Sequence, residues 1–426
     1  MHTMHPKGEL MEIPEMYHIR RTFVDDSILD PESDVFEKIA ACGLDIKNGD
    51  RIAVTVGSRG IADLQALVRG SVRALRDLGA KPFIIPAMGS HGGGTAEGQE
   101  EVIAGYGITE KEVGAPVISS MDVVELDAPD LENRVYMDKH AWESDGVLLI
   151  NRVKPHTDFH GRWESGLLKM SVIGLGKHRL ASEIHSYNIR GLKELIEPTA
   201  RFLIGTGKIK GGVAVVENSY DKICLVEVAA PDNIPDTDAR LLEIAREKMP
   251  RLPFSEIDVL IIDFMGKDIS GCGIDTNVIG RLGIAGEEEP EEPKIGSILV
   301  TDLTDASHGN AIGVGLADVT TRRLFEKIDF NASKENVVTS SFLGRGKIPV
   351  IADTDMEGIH IALRAAGCRN IKEARICRIH STLELSDMLV SPALRSAVAG
   401  FESTEVLMDT HALADKDGNL VKFPGS

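Results

Sequence analysis

The residues best equipped for chemistry crowd into one stretch, Asn151 to Ser186, which holds His156, His160, His178 and His185 together with Lys154, Lys169, Arg152 and Arg162. The stretch follows the apolar run Gly146-Val147-Leu148-Leu149-Ile150, which reads as a buried strand. In an open α/β sheet, ligands bind outside the carboxyl ends of strands. Histidines there suit proton transfer or metal ligation near neutral pH. Lys169 sits among Leu167, Leu168, Met170, Val172 and Ile173. Partial burial would lower its pKa and make it a nucleophile for covalent attachment. The same pattern also fits a lysine snorkelling from a helix.

Three further loops carry candidates. Gly57-Ser58-Arg59-Gly60 follows the strand Arg51–Val56 and precedes a helical pattern from Ile61 to Leu78. Backbone N–H groups, Ser58 and the Arg59 guanidinium there could hold an anion, or the loop could be a plain turn. His91 lies in Ala87-Met88-Gly89-Ser90-His91-Gly92-Gly93-Gly94, after a strand over Pro82–Pro86. Three following glycines leave its ring facing a cavity or solvent and allow a ligand close to the backbone, or the stretch is a flexible loop with an incidental histidine. A later strand, Val259–Asp263, exits into a polar, Gly-rich loop with Lys267, followed by Asn277 and Arg281.

HExxH, GxSxG, Walker A and a strand-following GxGxxG are all missing. The His156 to His160 spacing falls in a Pro-containing loop, which does not put both rings on one helix face, so it is a weak zinc signal. The net charge of −19 argues against general nucleic-acid binding. No apolar run approaches membrane-span length and the N-terminus has no signal-peptide core, so no membrane partner is expected. Five scattered cysteines without a CxxC fit a reduced, cytoplasmic compartment.

A chain of 426 residues exceeds one small core. Strand and helix patterns alternate throughout, predicting an α/β protein of two α/β domains with a cleft between them. The expected division is 1–253 as an N-terminal domain binding a cofactor, 254–390 as a C-terminal domain contributing substrate contacts, and 391–426 as a tail packing back on the N-terminal domain. Local signals include a helix from Pro31 capped by Gly43, a helix over Ala96–Gly105 capped by Thr95, a hairpin of Gly212–Glu217 with Ile223–Val228, and a helix over Thr320–Ile328.

These residues resemble the lactate racemase family, most specifically around Met88–Gly94, Asn151–Ser186 and Ser307–Thr321. The resemblance implies a nickel-pincer nucleotide, the pyridinium-3,5-bisthiocarboxylic acid mononucleotide complex of Ni2+, covalently attached to a lysine. The family's Ser-Gly-x-x-Lys pattern is matched by Ser165-Gly166-Leu167-Leu168-Lys169, which implies Lys169 as the tether, with Ser165 beside it. His185 follows the lysine at the spacing of the family's nickel ligand. His91 matches one acid/base histidine. The other corresponds to His156 or His160, with Lys154-Pro155-His156-Thr157 the closer match at the strand end. Ser58 and Arg59 fall where the family holds the nucleotide phosphate.

The implied reaction is racemisation or epimerisation of a 2-hydroxy acid by hydride transfer, with two histidines handling the hydroxyl proton. A cation should hold the substrate carboxylate, from Arg281, Lys267 or Arg152, and Asn277 adds a polar contact. The loops around Asp268, Ser270, Asp275 and Asn277 differ from the lactate enzyme's own pattern and favour a larger or more hydroxylated acid. Implied partners are the 2-hydroxy acid and cofactor-maturation proteins, and a homo-oligomer is compatible with the family. Two other readings compete: a divalent-metal hydrolase or lyase using His156, His160 and His185, and a non-enzymatic hydroxy-acid-binding protein.

Overall fold

The computed structural model describes residues 13–58, 60–398 and 403–424. The chain forms two α/β units, one of Val24–Met249 and one that joins the segment up to Phe23 to the chain from Pro250 onward. The opening strand β1 (Met16–Arg21) therefore belongs with the later half of the sequence rather than with an N-terminal domain.

The Val24–Met249 unit is built on a five-stranded sheet. Its strands are β2 (Arg51–Val56), β3 (Lys81–Pro86), β6 (Gly146–Arg152), β7 (Ile209–Glu217) and β8 (Ile223–Ala229), in the order β3-β2-β6-β7-β8. A separate antiparallel pair, β4 (Val123–Leu126) and β5 (Val135–Asp138), precedes β6. β2, β3, β6 and β7 run parallel, so their carboxyl ends share one edge, and β8 closes the sheet as the expected hairpin. Val54 and Val56 of β2 and Leu148 and Ile150 of β6 join Leu64, Leu67, Val68, Val72 and Leu75 of helix Leu64–Asp77 in one core. That helix crosses helix Pro31–Cys42 at Gly70, where a Cβ would lie 2.3 Å from the Glu32 carbonyl oxygen. Gly43 ends the first of these helices in the left-handed conformation, at φ 69°.

The other unit carries an eight-stranded sheet. β9 (Glu256–Met265), β10 (Lys294–Leu303), β11 (Val319–Thr321), β12 (Val350–Ala352), β13 (Ile376–Ile379), β14 (Asp387–Val390) and β15 (Thr404–His411) combine with β1 in the order β12-β11-β10-β9-β13-β14-β1-β15. β1 is antiparallel to both neighbours, which fills the ladder on each side of it. His18 is buried and bonds Asp387 at 2.7 Å. The tail differs from expectation for the same reason: β15 pairs with β1, so the described part of the 391–426 segment joins this unit. A second departure is the segment from Thr320, where β-branched Thr320 and Thr321 extend β11 before a short helix Arg322–Glu326 begins. Asp263 on β9 and Arg378 on β13 form a buried bidentate pair at 2.7 and 2.9 Å.

Candidate active site

Parallel pairing sets the carboxyl ends of β2, β3 and β6 side by side, and the segment after Lys169 packs over them. A Cβ on Gly57 would lie 3.1 Å from Met170 Cε and 4.0 Å from both the Ala87 carbonyl oxygen and Asn151 Oδ1. One on Gly174 would fall 2.8 Å from the same Ala87 oxygen. Residues from three strand ends thus meet the Lys169 segment, in the position where α/β sheets bind ligands.

The path from β6 to Lys169 is tied down at each step. Lys154 and Ser165 exchange backbone hydrogen bonds at 3.1 and 3.3 Å, closing the 155–164 excursion into a loop. Inside it, the buried Glu164 accepts the His156 N–H at 2.5 Å, the Gly161 N–H at 3.1 Å and Arg246 Nη2 at 2.5 Å. Burial opposes ionisation of Glu164, yet the bonds from His160, the His156 N–H and Arg246 hold its carboxyl below the usual range. Asn151 Nδ2 then donates to the Gly166 carbonyl at 2.7 Å.

Asp238, on helix Ile234–Lys248, caps the turn Leu167–Lys169. Its two oxygens accept the Leu167 and Leu168 N–H groups at 2.9 and 2.8 Å. Burial pushes this carboxyl up to about 6, against the downward pull of those two donors. Gly166 is required beside it, since a Cβ there would sit 2.6 Å from the carboxylate. After Lys169 the backbone makes a π-helical turn, Met170–Gly174, before helix Lys177–Ser186 begins. Such turns are frequent at functional sites.

The histidines separate by environment. His156 is buried and packs against Phe159, the rings tilted by 35° with centroids 4.7 Å apart. Its Nδ1 accepts the Asp158 N–H at 3.0 Å and its Nε2 meets Lys169 Nζ. His160 is exposed and turns its Nδ1 to Glu164 at 3.3 Å. Of the two, His156 is the one placed against Lys169. His185 lies half-buried in the last turn of its helix. Burial lowers its pKa, charge on Lys169 lowers it further, and Asp158 opposes both. Burial thus disfavours the charged imidazolium and favours the form whose ring nitrogen lone pair a metal can take.

His91 is exposed at the end of the loop after β3. The fully buried Gln99 donates to the carbonyls of Gly89 and His91 at 2.9 and 3.2 Å. Lys177, also fully buried, donates to the Pro86 carbonyl at 2.5 Å and to Gln99 Oε1 at 3.3 Å, and its ammonium lies 3.2 Å from Asp138 Oδ2. Burial lowers the Lys177 pKa and Asp138 opposes this. Lys177 holds φ at 54°, a conformation that non-glycine residues rarely adopt. A Cβ on Gly89 would lie 3.2 Å from Ile173 and 3.4 Å from Ala181, so the His91 loop lies directly on the segment that follows Lys169.

The remaining sequence candidates scatter. Ser58 is half-buried and its carbonyl accepts the Tyr106 hydroxyl at 2.6 Å, while Arg59 lies outside the described residues. Ser165 is held through its backbone bridge to Lys154. Arg152 is ion-paired with Glu217. Arg281, in the other unit, spends its guanidinium on Asp318 at 2.9 Å and the Leu316 carbonyl at 2.8 Å. There too, Lys267 Nζ donates to the Gly271 carbonyl at 2.7 Å, and Asn277 Nδ2 to Asp275 at 3.0 Å. Among the described residues no group of three or more His, Cys, Asp or Glu side chains is arranged to hold a metal ion, so His156, His160 and His185 do not form one ligand set. No helix among the described residues is long and apolar enough to cross a membrane.

Glu164, Asp238, Lys177, Gln99 and Asp138 carry much of this architecture without standing out in the sequence. Only the glycines around Lys177 and the acidic residue closing the 155–164 excursion offered a local signal. No protein-family model matches the chain, and no curated protein matches it. Among solved structures, the fold is similar to that of the lactate racemase apoprotein from Thermoanaerobacterium thermosaccharolyticum, with a TM-score of 0.54 over 87% of this chain and 99% of that one, at 13% sequence identity. At that identity the likeness establishes a shared two-unit α/β fold and nothing finer.

Proposed function

We infer that this chain is a racemase or epimerase of a 2-hydroxy acid that works with a lysine-tethered nickel-pincer nucleotide. The observation that carries the reading is the meeting of Lys169 and His156 at the strand ends of a fold shared with a lactate racemase. The residues fit such a group. Lys169 offers an amine for a covalent bond, His185 an imidazole whose protonation burial disfavours, of the kind nickel accepts, and Gly57 a side-chain-free floor beside Met170. When bound, the cofactor supplies a reversible hydride acceptor.

The chain's own residues then bind, orient and move protons. Abstracting the α-proton of a hydroxy acid directly is difficult, whereas with a hydride acceptor at hand the chain itself would need to supply only a base for the hydroxyl proton. A histidine, with an unperturbed pKa of about 6.5, is suited to take and return that proton. His156 from the loop after β6 and His91 from the loop after β3 are assigned that role. His160 is given none, because its ring turns onto Glu164. Arg152 and Arg281 are each committed to a carboxylate, so neither is offered as the substrate's anchor.

The test is intact-mass analysis with nickel quantification, on protein from cells that do and do not make the cofactor. The reading expects nickel and a covalent increment on Lys169 only in the first case, together with interconversion of enantiomers or epimers across a panel of 2-hydroxy acids. Unmodified, nickel-free protein from cofactor-making cells would overturn it.

A further inference from the structure

His91 sits in a loop that its own sequence would leave loose. Gly89, Gly92, Gly93 and Gly94 all hold positive φ, between 61° and 65°, a region that glycine adopts freely and at a high cost in chain entropy. What fixes the loop comes from the helix after it. That helix, Ala96–Gly105, meets the loop at a pair of glycines, where a Cβ on Gly98 would lie 2.1 Å from the Gly92 carbonyl oxygen. Gln99 is the next residue, and its side chain is fully buried against the loop. Its Nε2 donates to the Gly89 carbonyl at 2.9 Å and to the His91 carbonyl at 3.2 Å, which uses both amide hydrogens.

Lys177 decides which way round that amide lies. An ammonium has three N–H donors and no acceptor. Those of Lys177 have the Pro86 carbonyl at 2.5 Å, Gln99 Oε1 at 3.3 Å and Asp138 Oδ2 at 3.2 Å as acceptors. A group that only donates requires the amide oxygen on its side, which leaves Nε2 for the loop. Turning the amide over would set N–H against ammonium and oxygen against two carbonyl oxygens. Asp138 is itself tied to the Lys169 segment, since its backbone N–H bonds the Leu175 carbonyl at 2.7 Å.

We propose that Gln99, oriented by Lys177, is a positioning residue for His91: it holds the glycine loop by its backbone so that the His91 ring is presented in one place. A histidine on mobile glycines would spend little time in reach of a substrate hydroxyl, and proton transfer needs that geometry. Lys177 also begins the helix that carries His185, so the loop and that helix are keyed to one buried ammonium. This deepens the proposed function by resting on the role given there to His91, yet the clamp belongs to the cofactor-free chain and is measured on it.

The test is amide hydrogen exchange of the cofactor-free protein, followed by mass spectrometry in peptides over 88–95. In wild type the His91 and Gly94 N–H groups bond the Met88 and His91 carbonyls at 3.2 and 3.3 Å, so the loop should exchange at least about tenfold more slowly than an unstructured chain. Gln99→Met keeps the length of the side chain but not its donors, and should speed loop exchange about tenfold, by more than in peptides from β2 and β6. A wild-type loop exchanging at the unstructured rate overturns the proposal without any variant, and so does a rise in Gln99→Met that is uniform across the unit. In protein from cofactor-making cells, Gln99→Met should also lower turnover per bound nickel about tenfold, with KM and nickel content unchanged. Full turnover per nickel would reduce Gln99 to a structural part and overturn its positioning role. Loop protection that depends on Gln99 in a chain that never acquires nickel would leave the clamp standing and sink the cofactor reading, so the two fail separately.

Discussion

Replacing Asp238 by asparagine isolates the cost of burying one carboxylate under the Lys169 turn. Asp238 is 3% exposed, and its carboxyl is displaced by burial from 3.8 to about 6. Because the folded value lies above the unfolded one, the stabilisation linked to its proton is fully present below the lower value and is lost as pH rises through about 6. Between pH 5 and pH 7 that loss amounts to about 1.3 kcal/mol. Asparagine keeps the shape but does not titrate, and it offers one oxygen to the two N–H groups of Leu167 and Leu168. Asp238→Asn should therefore be less stable at pH 5 by about 1–3 kcal/mol. The gap to wild type should then narrow by about 1.3 kcal/mol by pH 7. Both tryptophans, Trp142 and Trp163, lie in the Val24–Met249 unit, so their fluorescence in urea titrations reports the unit concerned. A gap that stays constant or widens with rising pH would refute the assignment.

Three other substitutions follow from the same packing. Lys177→Met strands Asp138 in the interior and should cost about 3–5 kcal/mol in urea unfolding; adding Asp138→Asn should recover part of that loss. Gly174→Ala places a methyl 2.8 Å from the Ala87 carbonyl oxygen and 2.4 Å from Met170 Sδ. Only the thioether can move aside, so a loss of about 1–3 kcal/mol in thermal unfolding is expected. Glu164→Gln removes a carboxylate whose pKa is held down by its donors, so its penalty, about 2–4 kcal/mol at neutral pH, should shrink as the medium is acidified below the ordinary glutamate value. A penalty that grew on acidification would contradict the ion pair with Arg246.

Much of the fold was legible because it is set locally. Gly43 and Thr95 cap helices where the sequence places them, and the β7–β8 hairpin and the buried run of β6 follow from short-range pattern. β1 and β15 were not assignable because each finds its partners hundreds of residues away, and nothing in Met16–Arg21 names the sheet it enters. The chemical residues divide the same way. Lys169 and its histidines stand out by type and spacing. Asp238 lies about 70 positions from the turn it caps, and Lys177 is a charged residue whose burial only the packed structure reveals. The ambiguity between His156 and His160 was of this second kind, since Glu164 separates them by hydrogen bonds that no spacing predicts.

The left-handed Lys177 makes helix Lys177–Ser186 a lever with its fulcrum at that residue. His185 sits eight residues along, about 12 Å from the fulcrum at 1.5 Å per residue. A tilt of about 10° there would carry the imidazole about 2 Å, roughly the length of a metal–nitrogen bond. The start of the helix that carries His185 thus depends on a backbone torsion that a lysine would not ordinarily choose, at a residue whose ammonium is held by Pro86, Gln99 and Asp138. Drift at those three contacts would detune the site from beneath while leaving every candidate catalytic residue intact.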